Sequence, residues 1–154
     1  MKPQRLRRYV NLWPPYLFSG IQVERLDPDW RYVKVRLKLR WYNRNYVGTH
    51  FGGSLFSMTD PWWMILIMEC LGRDYMVWDQ AGEISFVAPG REDVYAEFRI
   101  EDAVLDELRQ ATASGEKVLR WFETEVKTAS GEVIARARKQ VYVRRKRDRP
   151  EAAV

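Results

Sequence analysis

The chain has 154 residues, 46% of them hydrophobic and 31% charged, with a formal net charge of +5. That composition fits one folded domain and excludes a disordered chain, a membrane bundle and two full-sized domains. Cys70 and His50 stand alone in their types, which excludes an intrachain disulfide, a multi-cysteine zinc site and paired-histidine chemistry; the lone thiol points to a reducing, cytoplasmic compartment.

Residues 1–8 carry Lys2, Arg5, Arg7 and Arg8, and no apolar stretch follows that would make them a secretion signal. Pro14-Pro15 is expected to open a short helix, because proline fits a first turn. From Gly20 period two takes over. Ile21 and Val23 start a strand, and Asp27-Pro28-Asp29 is a turn signal. Arg31 to Arg40 then alternates Val33, Val35, Leu37 and Leu39 with Tyr32, Lys34, Arg36, Lys38 and Arg40. The two runs predict a hairpin.

Gly52 to Gly72 breaks the alternation. Leu55, Phe56, Met58 and nearly every position from Trp62 to Met68 are apolar. A helix apolar almost all round must be buried almost all round. One long helix is expected from about Gly52 to about Leu71, kinked near Pro61, which has no N–H for the carbonyl of Ser57. Glu69 is expected to pair with Arg73 at i,i+4, and Cys70 to be an inert core thiol. Alternation returns at Ile84–Ala88, Val94–Ile100, Val118–Val126 and Val133–Val143. A short amphipathic helix, with Asp102 as N-cap and Gly115 as its stop, separates the second and third of these runs.

The longest apolar run, Pro61 to Met68, is far below the roughly 18 residues of a membrane span, so no membrane is an expected partner. The tail 144–154 nets +3 and residues 1–8 net +4, which leaves −2 on the body. Basic ends without a nucleic-acid motif suit solvated extensions, and nucleic acid is not an expected partner. The chain is therefore expected to be a single α+β domain over 1–154 with basic extensions at 1–8 and 144–154. Its antiparallel sheet of about six strands would curl around one long central helix.

The informative stretch is Asn43 to Asp60, a polar, glycine-bearing loop that runs into the start of the buried helix. Free N–H groups at a helix start favour developing negative charge, and glycine lets a ligand atom approach the backbone. That is the geometry of an oxyanion hole. Asp60 follows inside the apolar segment, where a carboxylate must be hydrogen-bonded, functional, or a cap for a helix opening at Pro61.

A His, two glycines and an Asp seven residues after the second glycine resemble the motif of hotdog-fold acyl-CoA thioesterases, especially the PaaI-like group. Ile84-Ser85-Phe86-Val87-Ala88-Pro89-Gly90 resembles the strand and turn that follow the helix there. The resemblance covers roughly residues 20–143 and extends to uncharacterised bacterial hotdog proteins named as thioesterases. It implies that Gly52, with Gly53, polarises a thioester carbonyl. It makes Asp60 the nucleophile or the general base for water, Asn45 the residue that orients water or the carboxylate, and His50 the residue that positions the loop. It implies an acyl-CoA substrate and no cofactor or metal. This chain departs from the pattern in three places. Phe51 separates His50 from the glycines, Pro61 follows Asp60, and the relatives' hydroxyl positions fall on Met64 and near Asp79-Gln80. A non-catalytic acyl-ligand-binding or assembly protein on the same fold is the alternative.

Gly52 and Asp60 lie eight residues apart, about 12 Å along a continuous helix. One carbonyl carbon cannot reach both. Two antiparallel helices across a two-fold axis would bring Gly52 of one chain to Asp60 of the other. A homodimer with shared sites, pairing again to a tetramer, is therefore expected.

Overall fold

A computed structural model describes residues 1–146. Strands β1 (Ile21–Leu26), β2 (Tyr32–Leu37), β3 (Tyr75–Phe86), β4 (Val94–Arg99), β5 (Lys117–Thr128) and β6 (Val133–Arg145) form one sheet in the order β1-β2-β4-β5-β6-β3. Every neighbouring pair is antiparallel. The helices are α1 (Pro3–Leu12), α2 (Pro14–Ser19), α3 (Gly52–Ser57), α4 (Trp62–Leu71) and α5 (Asp102–Ala111). Inward residues of the strands, among them Val33, Val35, Leu37, Val94, Ala96, Phe98, Val141 and Val143, are buried with Trp62, Trp63, Leu66 and Ile67 of α4 in one core. The Trp63 ring stacks on Phe122 at 5.0 Å between centroids and meets Phe98 edge-on at 5.4 Å. This is the hotdog architecture, a sheet closed over a central apolar helix.

The central helix is not continuous. It stops at Ser57 and restarts at Trp62, and the Asp60–Pro61 peptide bond is cis. The expected kink is thus a full break. Pro61 has no N–H for the carbonyl of Ser57, so that carbonyl accepts from the Asp60 N–H (3.2 Å) and the Tyr16 hydroxyl (3.3 Å) instead. No residue of α4 is exposed, as its all-round apolar surface requires, but Met64, Ile65 and Met68 are half-buried.

Several local expectations change. α4 ends at Leu71 with Gly72 as its C-cap, so Arg73 falls off the helix and the expected i,i+4 ion pair with Glu69 does not form. The N-cap of α5 is Glu101; Asp102 sits in the first turn and pairs with Arg31. β2 stops at Leu37 because the Leu39 N–H is taken by the Asp93 carboxylate (2.8 Å), which also holds Arg36. β3 begins at Tyr75, well before Ile84.

Residues 1–8 belong largely to α1, which lies along the edge strand β1. The Asn11 amide donates to the Val23 carbonyl (3.1 Å) and its oxygen accepts from the Val23 N–H (2.7 Å). Arg7 and Gln4 donate to the carbonyls of Glu24 and Leu26. Side chains of α1 thus satisfy backbone groups of β1 that a further strand would otherwise seek. Of the basic tail, Arg144 and Arg145 complete β6, while 147–154 lie outside the described residues.

Candidate active site

The loop into α3 is closed by Asn45. Its side-chain N–H groups reach Thr49 Oγ1 (2.8 Å) and the His50 carbonyl (3.1 Å), and its oxygen accepts from Val47 (3.1 Å) and Thr49 (2.9 Å). Asn45 therefore spends its hydrogen-bonding capacity on the loop. His50 is buried; Nε2 donates to the Glu92 carbonyl (2.8 Å), which fixes the tautomer, and its own backbone N–H donates to the Gly90 carbonyl (3.0 Å). Burial pushes its pKa down, so the ring is neutral. Gly90 admits the ring: a Cβ there would stand 2.8 Å from His50 Cδ2. His50 pins the loop to the segment after β3.

At the start of α3 the N-cap is Phe51, which offers no side-chain acceptor. The first-turn amides, those of Gly52 and Gly53, have no intrahelical acceptor either. Rings stand close over both glycines. A Cβ on Gly52 would lie 2.8 Å from Phe86 Cζ, and one on Gly53 2.4 Å from Phe51 Cε1. Gly52, Asn45, His50, Phe86 and Pro89 line a cavity of about 380 Å³.

Asp60 lines a different cavity, about 190 Å³, with Trp13, Tyr16, Phe56 and Lys139. The break between α3 and α4 presents its side chain, which is 51% exposed. Its carboxylate does not cap α4, whose N-cap is Pro61 without a side-chain bond. Oδ1 forms an ion pair with Lys139 Nζ. The Asp60 carbonyl accepts from the Tyr16 hydroxyl, which in turn accepts from Trp62 Nε1 (3.1 Å). Tyr16 is buried, and burial drives its pKa above the ordinary phenol range.

Lys139 belongs to this site and was not singled out from the sequence; Asp79, near which the resemblance places a hydroxyl, stands beside it as a carboxyl. Lys139 lies on the inner face of β6 and is buried. Asp79 lies on β3, and its Oδ1 is buried without a hydrogen-bond partner. Burial is the main cause that pushes its carboxyl up to about 6; Asp60 adds to the shift and Lys139 opposes it. The native state therefore keeps the Asp79 proton to about pH 6, whereas the unfolded chain releases it near 3.8. The stability linked to that proton is complete below pH 3.8 and lost as pH rises through 6. Asp79→Asn, which mimics the neutral acid, is expected to stabilise the fold by about 1–2 kcal/mol at pH 7–8. That gain should vanish near pH 4 when melting temperatures are measured across the range.

The structure brings Asn45, His50 and Gly52 together and leaves Asp60 in a second cavity. Among the described residues no cluster of three His, Cys, Asp or Glu side chains could hold a metal, and no helix is long and apolar enough to cross a membrane.

The profile of the family described as Domain of unknown function (DUF4442) matches residues 4–143. No curated protein matches the sequence. Among solved structures, the chain is similar to a Pseudomonas aeruginosa protein of unknown function described as a "probable thioesterase". That match has a TM-score of 0.81 and 21% identity, over 93% of this chain and 96% of the other. A thioesterase from Haemophilus influenzae matches with TM-score 0.67 and 11% identity, over 94% of this chain and 92% of its own. A mutant thioesterase from Pseudomonas aeruginosa matches with TM-score 0.67 and 12% identity, over 94% and 95% of the two chains. At these identities the likeness establishes the shared fold.

Proposed function

The chain belongs to the DUF4442 family, and from its hotdog fold and its site we propose that it hydrolyses the thioester of an acyl-CoA or a similar acyl carrier. One observation carries the reading. The uncapped glycine amides at the start of α3 and the carboxylate beyond its far end are the two groups thioester hydrolysis needs. The amides of Gly52 and Gly53 would take the carbonyl oxygen as it becomes an oxyanion. Asp60 would attack the carbonyl carbon and expel the thiolate, with water then cleaving the anhydride, or would take the proton of an attacking water. Asn45 and His50 act by holding the loop in shape. The reaction calls on no cofactor, and the half-buried Cys70, its thiol pushed up by burial, takes no part. A reducing, cytoplasmic setting accompanies this reading.

The two cavities support a site shared between two copies. Gly52 and Asp60 open onto separate spaces in one chain. The half-buried stripe Met64, Ile65 and Met68 and the unpaired edge of β3, which exposes Met76, Trp78 and Phe86, suit a two-fold partner. Such a dimer would set Gly52 of one chain opposite Asp60 of the other, and could pair again to a tetramer.

The test is thiol release from acyl-CoAs of varied chain length and aromatic character, with Asp60→Asn as control. Release that depends on Asp60 supports the enzyme. Ligand binding without release supports the non-catalytic reading, which the displacement of His50 from the glycines and the Pro61 that follows Asp60 favour. The shared site predicts complementation. Mixing inactive Gly52→Pro with inactive Asp60→Asn under subunit exchange should restore part of the activity, because each mixed dimer regains one intact site. Proven exchange without rescue would overturn the shared site.

A further inference from the structure

Between Ala135 and Val143 the inner face of β6 is Ala135, Ala137, Lys139, Val141 and Val143. A buried ammonium on an otherwise apolar face costs several kcal/mol unless it is well paired. A methionine would fill the same space without that cost.

Three features of the fold accommodate this lysine. Gly82 lies opposite Lys139 in the β3–β6 pairing. A Cβ on Gly82 would stand 3.0 Å from Lys139 Cδ and 2.8 Å from Phe56 Cζ, so a larger residue would displace one of them. The Phe56 ring lies 4.5 Å from the ammonium, within range of a cation–π contact. The third feature is the bulge between Asp79 and Ala81. Residues 79 and 82 are an odd number apart and would point to opposite faces of a regular strand. The bulge resets the alternation, so Asp79, opposite Val141, and Gly82, opposite Lys139, share the inner face.

The titratable groups around the ammonium come from every element packed against it. They are Asp60 from the helix break, Asp79 from β3 and Tyr16 from α2. Tyr16 stays un-ionised. The ammonium is paired with Asp60, half exposed in the cavity, while Asp79, near enough for the charge of Lys139 to act on it, keeps a buried oxygen without a partner.

We propose that Lys139 is the positioning residue for Asp60, holding Oδ1 so that Oδ2 is presented to the thioester, and that Asp79 competes for the same ammonium and thereby sets how firmly Asp60 is held. The proposal rests on the thioesterase reading of Asp60. While Asp79 keeps its proton, Lys139 belongs to Asp60 alone. Once Asp79 ionises, near pH 6, the ammonium is shared and the grip on Asp60 loosens.

The experiment measures kcat and KM for thiol release by wild type, Lys139→Met, Lys139→Arg, Gly82→Ala, Asp79→Asn and Asp60→Asn, from pH 5 to 8. Folding of each is checked by melting temperature. Lys139→Met should lower kcat roughly 10²-fold with KM nearly unchanged, the size of loss that ångström-scale misplacement causes. Lys139→Arg should recover part of that loss. Gly82→Ala keeps the charge but crowds the ammonium, and should lower kcat in the same direction, so the proposal stays testable where Lys139→Met fails to fold. Wild-type kcat should fall several-fold as pH rises through about 6, and Asp79→Asn should abolish that fall. If wild type is active and Asp60→Asn is not, yet folded Lys139→Met and Gly82→Ala keep wild-type kcat, the positioning role is overturned and the thioesterase reading stands. A pH profile unchanged in Asp79→Asn overturns the competition. No thiol release by wild type overturns both readings.

Discussion

Replacing Asp60 by asparagine is expected to lower thioester turnover by on the order of 10³-fold or more, the scale seen when a hydrolase loses one member of its catalytic unit. Stability should stay close to that of wild type. The substituted amide would still offer an oxygen to Lys139, and the loss of the Asp60 charge removes one cause that raises the Asp79 carboxyl. Asp79 then ionises more readily and supplies the counter-charge, so the buried ammonium is not stranded. A purely structural Asp60 behaves differently, because its removal would leave hydrolysis intact. Thiol release and a melting curve on the same preparation separate the two cases, and full activity in Asp60→Asn would sink the catalytic assignment.

Trp62→Ala is expected to cost about 3–5 kcal/mol, the usual range for deleting a buried Trp. That is a large share of the roughly 5–15 kcal/mol by which a domain of this kind is stable. Trp62 is fully buried at the first position of α4, and its indole N–H donates to Tyr16. The same hydroxyl serves the carbonyls of Ser57 and Asp60. Removing the indole therefore empties core volume and releases the tyrosine that closes the helix break. Trp62→Phe, which keeps most of the apolar contact and loses the N–H, should cost about 1–2 kcal/mol. Urea midpoints for the two variants check the order, and an unchanged midpoint in Trp62→Phe would show that the Tyr16 contact carries nothing beyond volume.

What the sequence revealed and what it hid have physical causes. Val33, Val35 and Leu37, or Val94, Ala96 and Phe98, face one core and alternate with polar partners, so periodicity alone places β2 and β4. The first half of β3 was hidden because Met76 and Trp78, on the outer face, are as apolar as Tyr75 and Val77 on the inner one. A bulge then shifts the phase, so the alternation at Ile84–Phe86 does not extend back into this half. α1 was hidden because its apolar contact with the core is narrow: Leu6 and Val10 pack there, while Arg7 and Asn11 beside them reach strand backbone where a core helix would present more leucines. The glycine loop and Asp60 stood out by their spacing. Lys139 was legible in principle, as the single cation in the row Ala135, Ala137, Val141, Val143. Asp79 was legible only as the place of a missing hydroxyl, because its facing toward Lys139 depends on the bulge, and Tyr16 lies 44 residues from the Asp60 carbonyl it holds.

The side chains that α1 lays along β1 also limit how the molecule can assemble. A sheet with two open rims has a valence of two for strand addition, and identical copies can then add without end into a fibre. Here one rim is already occupied by Asn11, Arg7 and Gln4 of the same chain, so the valence falls to one, at β3. Joining through β3 uses up the remaining rim of both copies at once, and the product is a closed pair with nothing left to propagate. The N-terminal helix acts, in that sense, as a chain terminator for a polymer the sheet could otherwise form.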